Sequence, residues 1–170
     1  FYPAYLPGPN LVSVDSLAST GDPWLTIDAT ETSGNNVDAY ADFNAPNGLT
    51  NGDFRAAVTE TGKFGYVYDT AIGPLDSPTQ QKAAITSLFY NINWLHDFWY
   101  NAGFTEAAGN GQRLNYGRGG TEGGPIVAEA QDNALGGSRN NANMSTPHDG
   151  MSPRMQVYLW SGKDDRLLAV

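Results

Sequence analysis

Between residues 78 and 101 the apolar residues recur every three or four positions, which is the spacing of a helix that buries one face. Ser77 is a suitable N-cap, Pro78 suits the first helical position, and Gln80 can complete a capping box. Gly103 is suited to end the helix. We therefore predict one long central helix over about 78–101. Its predicted core-facing stripe is Ile85, Leu88, Phe89, Ile92, Leu95 and Trp99.

Strand patterns lie on both sides of this helix. Residues 37–43 alternate between apolar and polar side chains, the pattern of a half-buried strand. In residues 155–160, Met155, Val157 and Leu159 alternate with the other three side chains, which predicts a strand with two different faces. Shorter strands are predicted at 24–27 and 66–68, and a short element at 125–130 interrupts a loop region rich in Gly and Asn. The pattern as a whole predicts an α+β fold with a β-rich N-terminal part, the central helix, Gly/Asn-rich loops and a C-terminal strand.

The length of the chain fits one domain or one lobe of a larger enzyme, because 170 residues is an ordinary domain size. We treat 1–170 as a single unit in which 1–76 is rich in strands and loops. The tail, 161–170, changes from polar to apolar residues, as expected at the start of a following element.

Composition limits the partners of the chain. The net charge is −9 and no basic stripe is present, so nucleic acid and anionic membrane surfaces are excluded. No apolar run reaches the length of a membrane span. The chain has no cysteine, which excludes disulfides and thiolate metal sites. The acidic surface suits calcium, a hard ion that prefers oxygen ligands, although the same charge also serves solubility alone. Calcium is therefore a candidate cofactor.

The two histidines, His96 and His148, stand far apart in the sequence. Catalytic zinc normally takes three protein ligands, and the metalloprotease pattern H-E-x-x-H does not occur in the chain. We therefore assign no catalytic residue and no metal ligand to these 170 residues.

His96 and Asp97 lie inside the predicted helix. His96 follows Ile92 by four positions and precedes Trp99 by three, so its ring faces the predicted core. A buried imidazole needs hydrogen-bond partners, usually a carboxylate or a carbonyl. Two roles remain open: a satisfied core histidine that fixes the helix, or a residue that supports an active site from beneath.

The run Asn140-Asn141-Ala142-Asn143 precedes the C-terminal strand and has two interpretations. It can form an exposed sheet edge, to which an extended peptide adds through main-chain hydrogen bonds while an Asn side chain reaches the peptide backbone. It can equally be an Asn-rich turn.

Residues 78–160 contain a series of distinctive blocks. They are LFYNINWLHDFWY at 88–100, GFTEAAGN at 103–110, NYGRGG at 115–120, AEAQD at 128–132, NNANMSTP at 140–147 and DGMSPRMQVYLW at 149–160. In this order the blocks resemble the fungalysin family of secreted metallopeptidases, and the order makes the resemblance specific. The similarity extends upstream to residues 34–40.

The resemblance implies a secreted, extracellular zinc metalloendopeptidase with a thermolysin-type architecture, in which 77–160 is the fungalysin-like segment. The family's H-E-x-x-H helix lies C-terminal to the block that ends at Trp160, so the zinc ligands are expected outside this chain, in a C-terminal zinc-binding half. Asn141 and Ala142 match the strand at the edge of the substrate cleft that grips a peptide or protein substrate. The chain would then be the N-terminal, substrate-cleft-forming lobe, inactive by itself.

Two further hypotheses remain. The chain can be a non-catalytic extracellular structural or self-assembling module derived from that lobe, because a missing half would leave an apolar face and a strand edge uncovered. It can also be a calcium-stabilised binding domain. Self-association is expected in the first case.

Overall fold

The computed structural model describes residues 12–161, and these form an α+β fold as predicted. From residue 162 onward, the predicted following element lies outside the described residues. One α-helix and a five-stranded mixed sheet make up the described part, with a short 3-10 helix at Glu106–Ala108. The elements are β1 (Val37–Ala41), β2 (Phe54–Arg55), α1 (Pro78–Asn101), β3 (Ile126–Ala130), β4 (Ala142–Ser145) and β5 (Arg154–Val157).

The sheet has the strand order β2-β1-β3-β5-β4. Strands β1, β3 and β5 run parallel, while the edge strands β2 and β4 are antiparallel to their neighbours. Ala39 pairs with Ala128 and Ala41 with Ala130, and all four methyl groups are fully buried. These small side chains let α1 lie close to the middle of the sheet, which places the core between the helix and one sheet face.

Helix α1 has the predicted bounds, and its ends are formed by local signals. Ser77 accepts a hydrogen bond from the N–H of Gln80 at 3.3 Å. At the other end, Gly103 has a φ of 106° and the Phe104 N–H donates to the Trp99 carbonyl at 3.0 Å, which is the Schellman arrangement. The predicted capping box does not form, because the Gln80 amide binds the N–H and carbonyl of Asp69 instead.

The predicted core stripe of α1 is right for its first half and wrong for its second. Ile85, Phe89 and Ile92 are buried, whereas Leu95 is 42% and Trp99 is 55% exposed. In the second half of the helix, the side chains that face inward are polar or amphipathic, whereas Trp94, Phe98 and Trp99 face outward. The buried set there is Asn93, His96, Asp97 and Tyr100.

Two predicted strands are absent, and a third prediction needs adjustment. Residues 24–27 form a bend and a turn, and residues 66–68 lie outside the strands of the described part of the chain. A local preference for extended backbone does not by itself make a strand, which forms only as part of a sheet. Strand β5 ends at Val157, with Leu159 in an isolated bridge to Arg139. Strand β1 forms at Val37–Ala41, two residues shorter than predicted, and it is buried on both faces, since Tyr40 is buried as well as Ala39 and Ala41.

Candidate functional site

Strand β4 forms one edge of the sheet, beside β5, and its four residues are all exposed. Asn141 comes directly before it and Ala142 is its first residue, so both predicted substrate-binding residues lie at the open edge. Within residues 12–161 no strand covers the other side of β4. An edge of this kind presents unpaired main-chain groups that an added strand can use.

The pairing of β4 with β5 indicates which main-chain groups face outward. The N–H of Tyr158 donates to the carbonyl of Asn141 at 3.1 Å, and the register pairs Ala142 with Val157. In an antiparallel ladder, hydrogen-bonded and non-hydrogen-bonded pairs alternate. The N–H and carbonyl of Ala142 therefore point away from β5, toward the position that an added peptide strand would occupy.

Asn side chains hold the edge in place. Asn140, in a left-handed conformation with φ 59°, exchanges two 2.7 Å hydrogen bonds with Ser161, and the Asn143 amide donates to the Tyr158 hydroxyl at 3.3 Å. The Asn141 side chain has no hydrogen-bond partner within 12–161. The run thus combines the two interpretations left open by the sequence, with a turn at Asn140 followed by an edge strand.

His96 and Asp97 are both buried, which confirms that His96 faces the core. The His96 Nδ1 lies 3.1 Å from Oδ1 of Asp97 and donates to it, so the predicted carboxylate partner is the adjacent residue. The other carboxylate oxygen accepts the N–H groups of Leu17 and Ala18 and the indole N–H of Trp24. These contacts fix α1 to the segment before β1. A supporting role beneath an active site stays a prediction.

Within residues 12–161, neither histidine belongs to a group of three or more residues able to hold a metal ion together. His148 is exposed, and its Nδ1 lies 3.3 Å from the carbonyl of Asp149. The group that the structure does bring together is Asp42, Glu129 and Asp132, three carboxylates without an imidazole. Described residues of this chain therefore do not fit a catalytic zinc, which takes histidine ligands on an H-E-x-x-H helix.

The sequence reasoning missed these three residues, which we call the acidic cluster. Asp42 follows β1 and Asp132 follows β3, two neighbouring parallel strands, so both carboxylates come to the same end of the sheet. Glu129 joins them from within β3. The available signal was an acidic residue near the end of each of two predicted elements, Asp42 in the strand at 37–43 and Asp132 just after the short element at 125–130. The sequence alone did not show that these elements are neighbours.

The second half of α1 carries an apolar surface, which we call the aromatic face and define as Trp94, Leu95, Phe98 and Trp99. All four side chains are at least two fifths exposed. Phe98 stacks on Trp94 with 5.7 Å between ring centroids and meets Trp99 edge-on at 5.2 Å, so the rings form one continuous patch. Contiguous exposed apolar surface on a soluble protein commonly marks a contact site.

Comparison with known proteins agrees with the resemblance seen in the sequence. A family model described as fungalysin metallopeptidase matches residues 11–167. The chain is 41% identical over 132 residues to extracellular metalloproteinase 5 of Trichophyton rubrum, and 42% identical over 132 residues to the protein of the same name from Arthroderma otae. It is also 41% identical over 130 residues to extracellular metalloproteinase 1 of Arthroderma gypseum.

The matched region covers most of this chain but little of each relative. It amounts to 78% of the chain for the first two proteins and 76% for the third, and to 20% of each relative. The chain thus spans about a fifth of the length of these relatives. None of the described helices is both long enough and apolar enough to cross a membrane.

Proposed function

The chain belongs to the fungalysin metallopeptidase family, and we propose that it forms the N-terminal, substrate-cleft-forming lobe of a secreted zinc metalloendopeptidase. The names of its relatives, extracellular metalloproteinases, support both the reaction class and the extracellular location. In this proposal, residues 1–170 act as one lobe that contributes substrate contacts, and a C-terminal half contributes the catalytic groups.

The observation that carries the proposal is the exposed edge at β4. The main-chain groups of Ala142 face outward there, and the Asn141 side chain has no partner within residues 12–161. A peptide substrate that adds to this edge is held in an extended conformation by main-chain hydrogen bonds, whatever its side chains are. Holding the scissile bond in a fixed position is itself a large contribution to catalysis.

The zinc of this family would be held by residues outside the chain. Zinc supplies a Lewis acid and a water of lowered pKa when it is bound, but the described residues do not provide its usual ligands. This chain's part in the proposal is to position the peptide. We therefore expect residues 1–170 to be inactive alone.

The aromatic face supports the second element of the proposal, the contact with a C-terminal half. Covering its side chains removes apolar surface from water, which is favourable at about 25 cal/mol per Å². The helix puts these rings outward while it buries His96 and Asp97 on its other side. This arrangement suits a lobe that packs against a second body, in which the face would become an internal contact.

A complementation assay tests the proposal. The purified chain is mixed with zinc and casein, first alone and then with the C-terminal half of a fungalysin, and released peptides are measured. We expect no turnover from the chain alone and clear turnover from the mixture. Turnover by the isolated chain, or a mixture no more active than the C-terminal half alone, would contradict the proposal.

The edge contact is tested by a main-chain change at one position. Ala142→Pro removes the outward N–H without removing a ladder bond to β5, so we expect complemented turnover to fall at least tenfold while the melting temperature changes little. Ala142→Ser keeps the N–H and serves as the matched control. Equal losses of turnover in both variants would show that the Ala142 side chain, and not the main-chain N–H at the edge, is needed for complemented turnover.

A second candidate function rests on the same exposed surfaces. An open strand edge together with an aromatic face can join copies of the chain, which would make it a non-catalytic, self-assembling extracellular module. Light scattering at increasing protein concentration separates the two. Ordered assemblies in the presence of a C-terminal half favour the module, whereas a one-to-one complex with that half favours the peptidase lobe.

A further inference from the structure

The acidic cluster lies where β1 and β3 end, and its members are among the most buried of the described residues. Asp42, Glu129 and Asp132 are 1%, 0% and 2% exposed, and each offers an oxygen within 4.8 Å of the others. Three carboxylates at this separation in a region with little water repel one another strongly. An arrangement of this kind persists only if something compensates the negative charge.

Hydrogen bonds account for part of the compensation. The Gly48 N–H donates to Oδ2 of Asp42 at 2.9 Å, the Tyr40 hydroxyl to Oε1 of Glu129 at 2.9 Å, and the Gln156 amide to Oδ1 of Asp132 at 3.1 Å. Each carboxylate therefore has a donor on one oxygen, which orients its second oxygen. These donors favour ionised carboxylates and bring no positive charge.

One oxygen of the cluster is left without a hydrogen bond. Oε2 of Glu129 is buried and has no hydrogen-bond partner within the described residues. Nε of Arg154 forms an ion pair with this oxygen at 3.8 Å, a distance too long for a hydrogen bond, and Nε has no hydrogen-bond partner within the described residues either. A fully buried carboxylate oxygen normally has a partner, so this atom is available to a ligand.

We propose that Asp42, Glu129 and Asp132 bind a hard divalent cation, with calcium as the best match, at a site separate from the catalytic zinc. The ligand type is decided by chemistry, because three carboxylate oxygens without nitrogen or sulfur suit calcium and magnesium. Calcium is the better match because its coordination geometry is flexible, whereas magnesium requires near-ideal octahedral geometry and keeps several waters. Opposite ligands of a calcium ion lie about 4.6–5.2 Å apart, so oxygens that are all within 4.8 Å of one another fit inside its coordination shell.

The electrostatics of Asp42 agree with this site. Burial, followed by the neighbouring charges of Glu129, Asp53 and Asp132, raises the pKa of Asp42 to about 6 against the opposing hydrogen bond from Gly48. Burial also raises the pKa of Glu129. A bound cation would remove this penalty and join the ends of β1 and β3, so it would stabilise the sheet next to the peptide-binding edge formed by β5 and β4.

Terbium luminescence and thermal unfolding test the proposal on the 170-residue chain after dialysis against EDTA. Terbium occupies calcium sites, and Tyr40, bonded to Glu129, is close enough to sensitise its emission. We expect saturable sensitised emission that calcium displaces. We also expect the melting temperature to rise by about 5–10 °C when calcium is a hundredfold above its Kd, and less with magnesium.

Variants show whether the terbium emission and the calcium-induced thermal shift arise at the acidic cluster. Asp42→Asn and Asp132→Asn remove ligand charge and repulsion together, so both should keep the metal-free melting temperature or raise it while abolishing terbium emission and the calcium shift. Asp28→Asn, at an exposed carboxylate outside the cluster, is the control and should respond as the unmodified chain does. Absence of emission and of any thermal shift with calcium or magnesium would overturn the proposal. A response retained in both cluster variants, or lost in the control, would overturn it as well.

Discussion

The indole N–H of Trp24 donates a 2.7 Å hydrogen bond to Oδ2 of Asp97, and both side chains are buried. The same oxygen accepts the N–H of Leu17 at 2.7 Å and that of Ala18 at 3.0 Å. Asp97 lies in the last two turns of α1, so one carboxylate ties the segment before β1 to the helix. These contacts support the interpretation that Asp97 fixes the helix, and the same role for His96 stays a prediction.

Replacing this carboxylate by an amide should destabilise the fold strongly. Asp97→Asn keeps the size of the side chain but removes the charge that several buried donors share, and its NH₂ group would face one of them. We expect a loss of about 3 kcal/mol in the free energy of unfolding, measured by urea titration. Trp24→Phe removes a single donor and should cost less. A larger loss from the Trp24 variant would contradict the central place given to Asp97.

The stability contributed by Asp97 should depend on pH in one direction. Burial alone would raise its pKa, but hydrogen bonds from His96, Trp24 and Leu17 outweigh burial and hold the pKa below the ordinary value of 3.8. As the pH falls past 3.8, the unfolded chain therefore takes up the proton before the folded chain does, and folding loses stability.

The difference in unfolding free energy between the unmodified chain and Asp97→Asn measures this effect. It should be constant above about pH 5 and shrink as the pH falls below 3.8, because the asparagine does not titrate. Urea titrations at a series of pH values give the curve. A difference that grows toward low pH would mean that the pKa of Asp97 is raised in the fold, and not lowered.

The start of α1 depends on Ser77. Its hydroxyl accepts the Gln80 N–H at 3.3 Å, and the first turn has no acidic residue to support it. Ser77→Ala should therefore lower the free energy of unfolding by about 0.5–1 kcal/mol, with the long hydrogen bond placing the loss at the lower end. Ser77→Asp retains an acceptor and adds a favourable charge, so it should be at least as stable as the unmodified chain. Equal losses in both variants would rule out a capping role.

Helix α1 could be predicted within its observed bounds because its signals are local. Ser77, Pro78 and Gly103 act on neighbouring backbone groups, so their effect does not depend on the rest of the fold. The strands at 24–27 and 66–68 failed for the opposite reason. Their residues favour extended backbone locally, but which segments join the sheet is set by the topology of the whole fold.

The same distinction explains what the sequence showed of the site. The exposed edge at Asn141 and Ala142 was one of two interpretations, and the choice between them needed the position of β4 in the sheet. Glu129 and Asp42 are far apart in sequence and meet because β1 and β3 are adjacent. The second half of α1 was predicted to bury Leu95 and Trp99, but Asp97 takes an inward position there. Its carboxylate accepts hydrogen bonds from three buried or partly buried main-chain and indole donors. Apolar periodicity along the sequence does not reveal such a need.

The aromatic face should make the isolated chain associate with itself. Phe98 and Trp99 are more than half exposed, so replacing both with glutamine removes apolar surface and keeps helix-forming residues. We expect the Phe98→Gln/Trp99→Gln variant to remain monomeric at concentrations where the unmodified chain forms larger species in size-exclusion chromatography with light scattering. Its free energy of unfolding should change by no more than about 1 kcal/mol, because exposed side chains contribute little.

Leu135→Gln, which removes a 65% exposed apolar side chain outside the face, is the control and should associate like the unmodified chain. Equal association of the double variant and the control would show that the face is not the contact, and strong destabilisation of the double variant would show that these rings are packed in the fold.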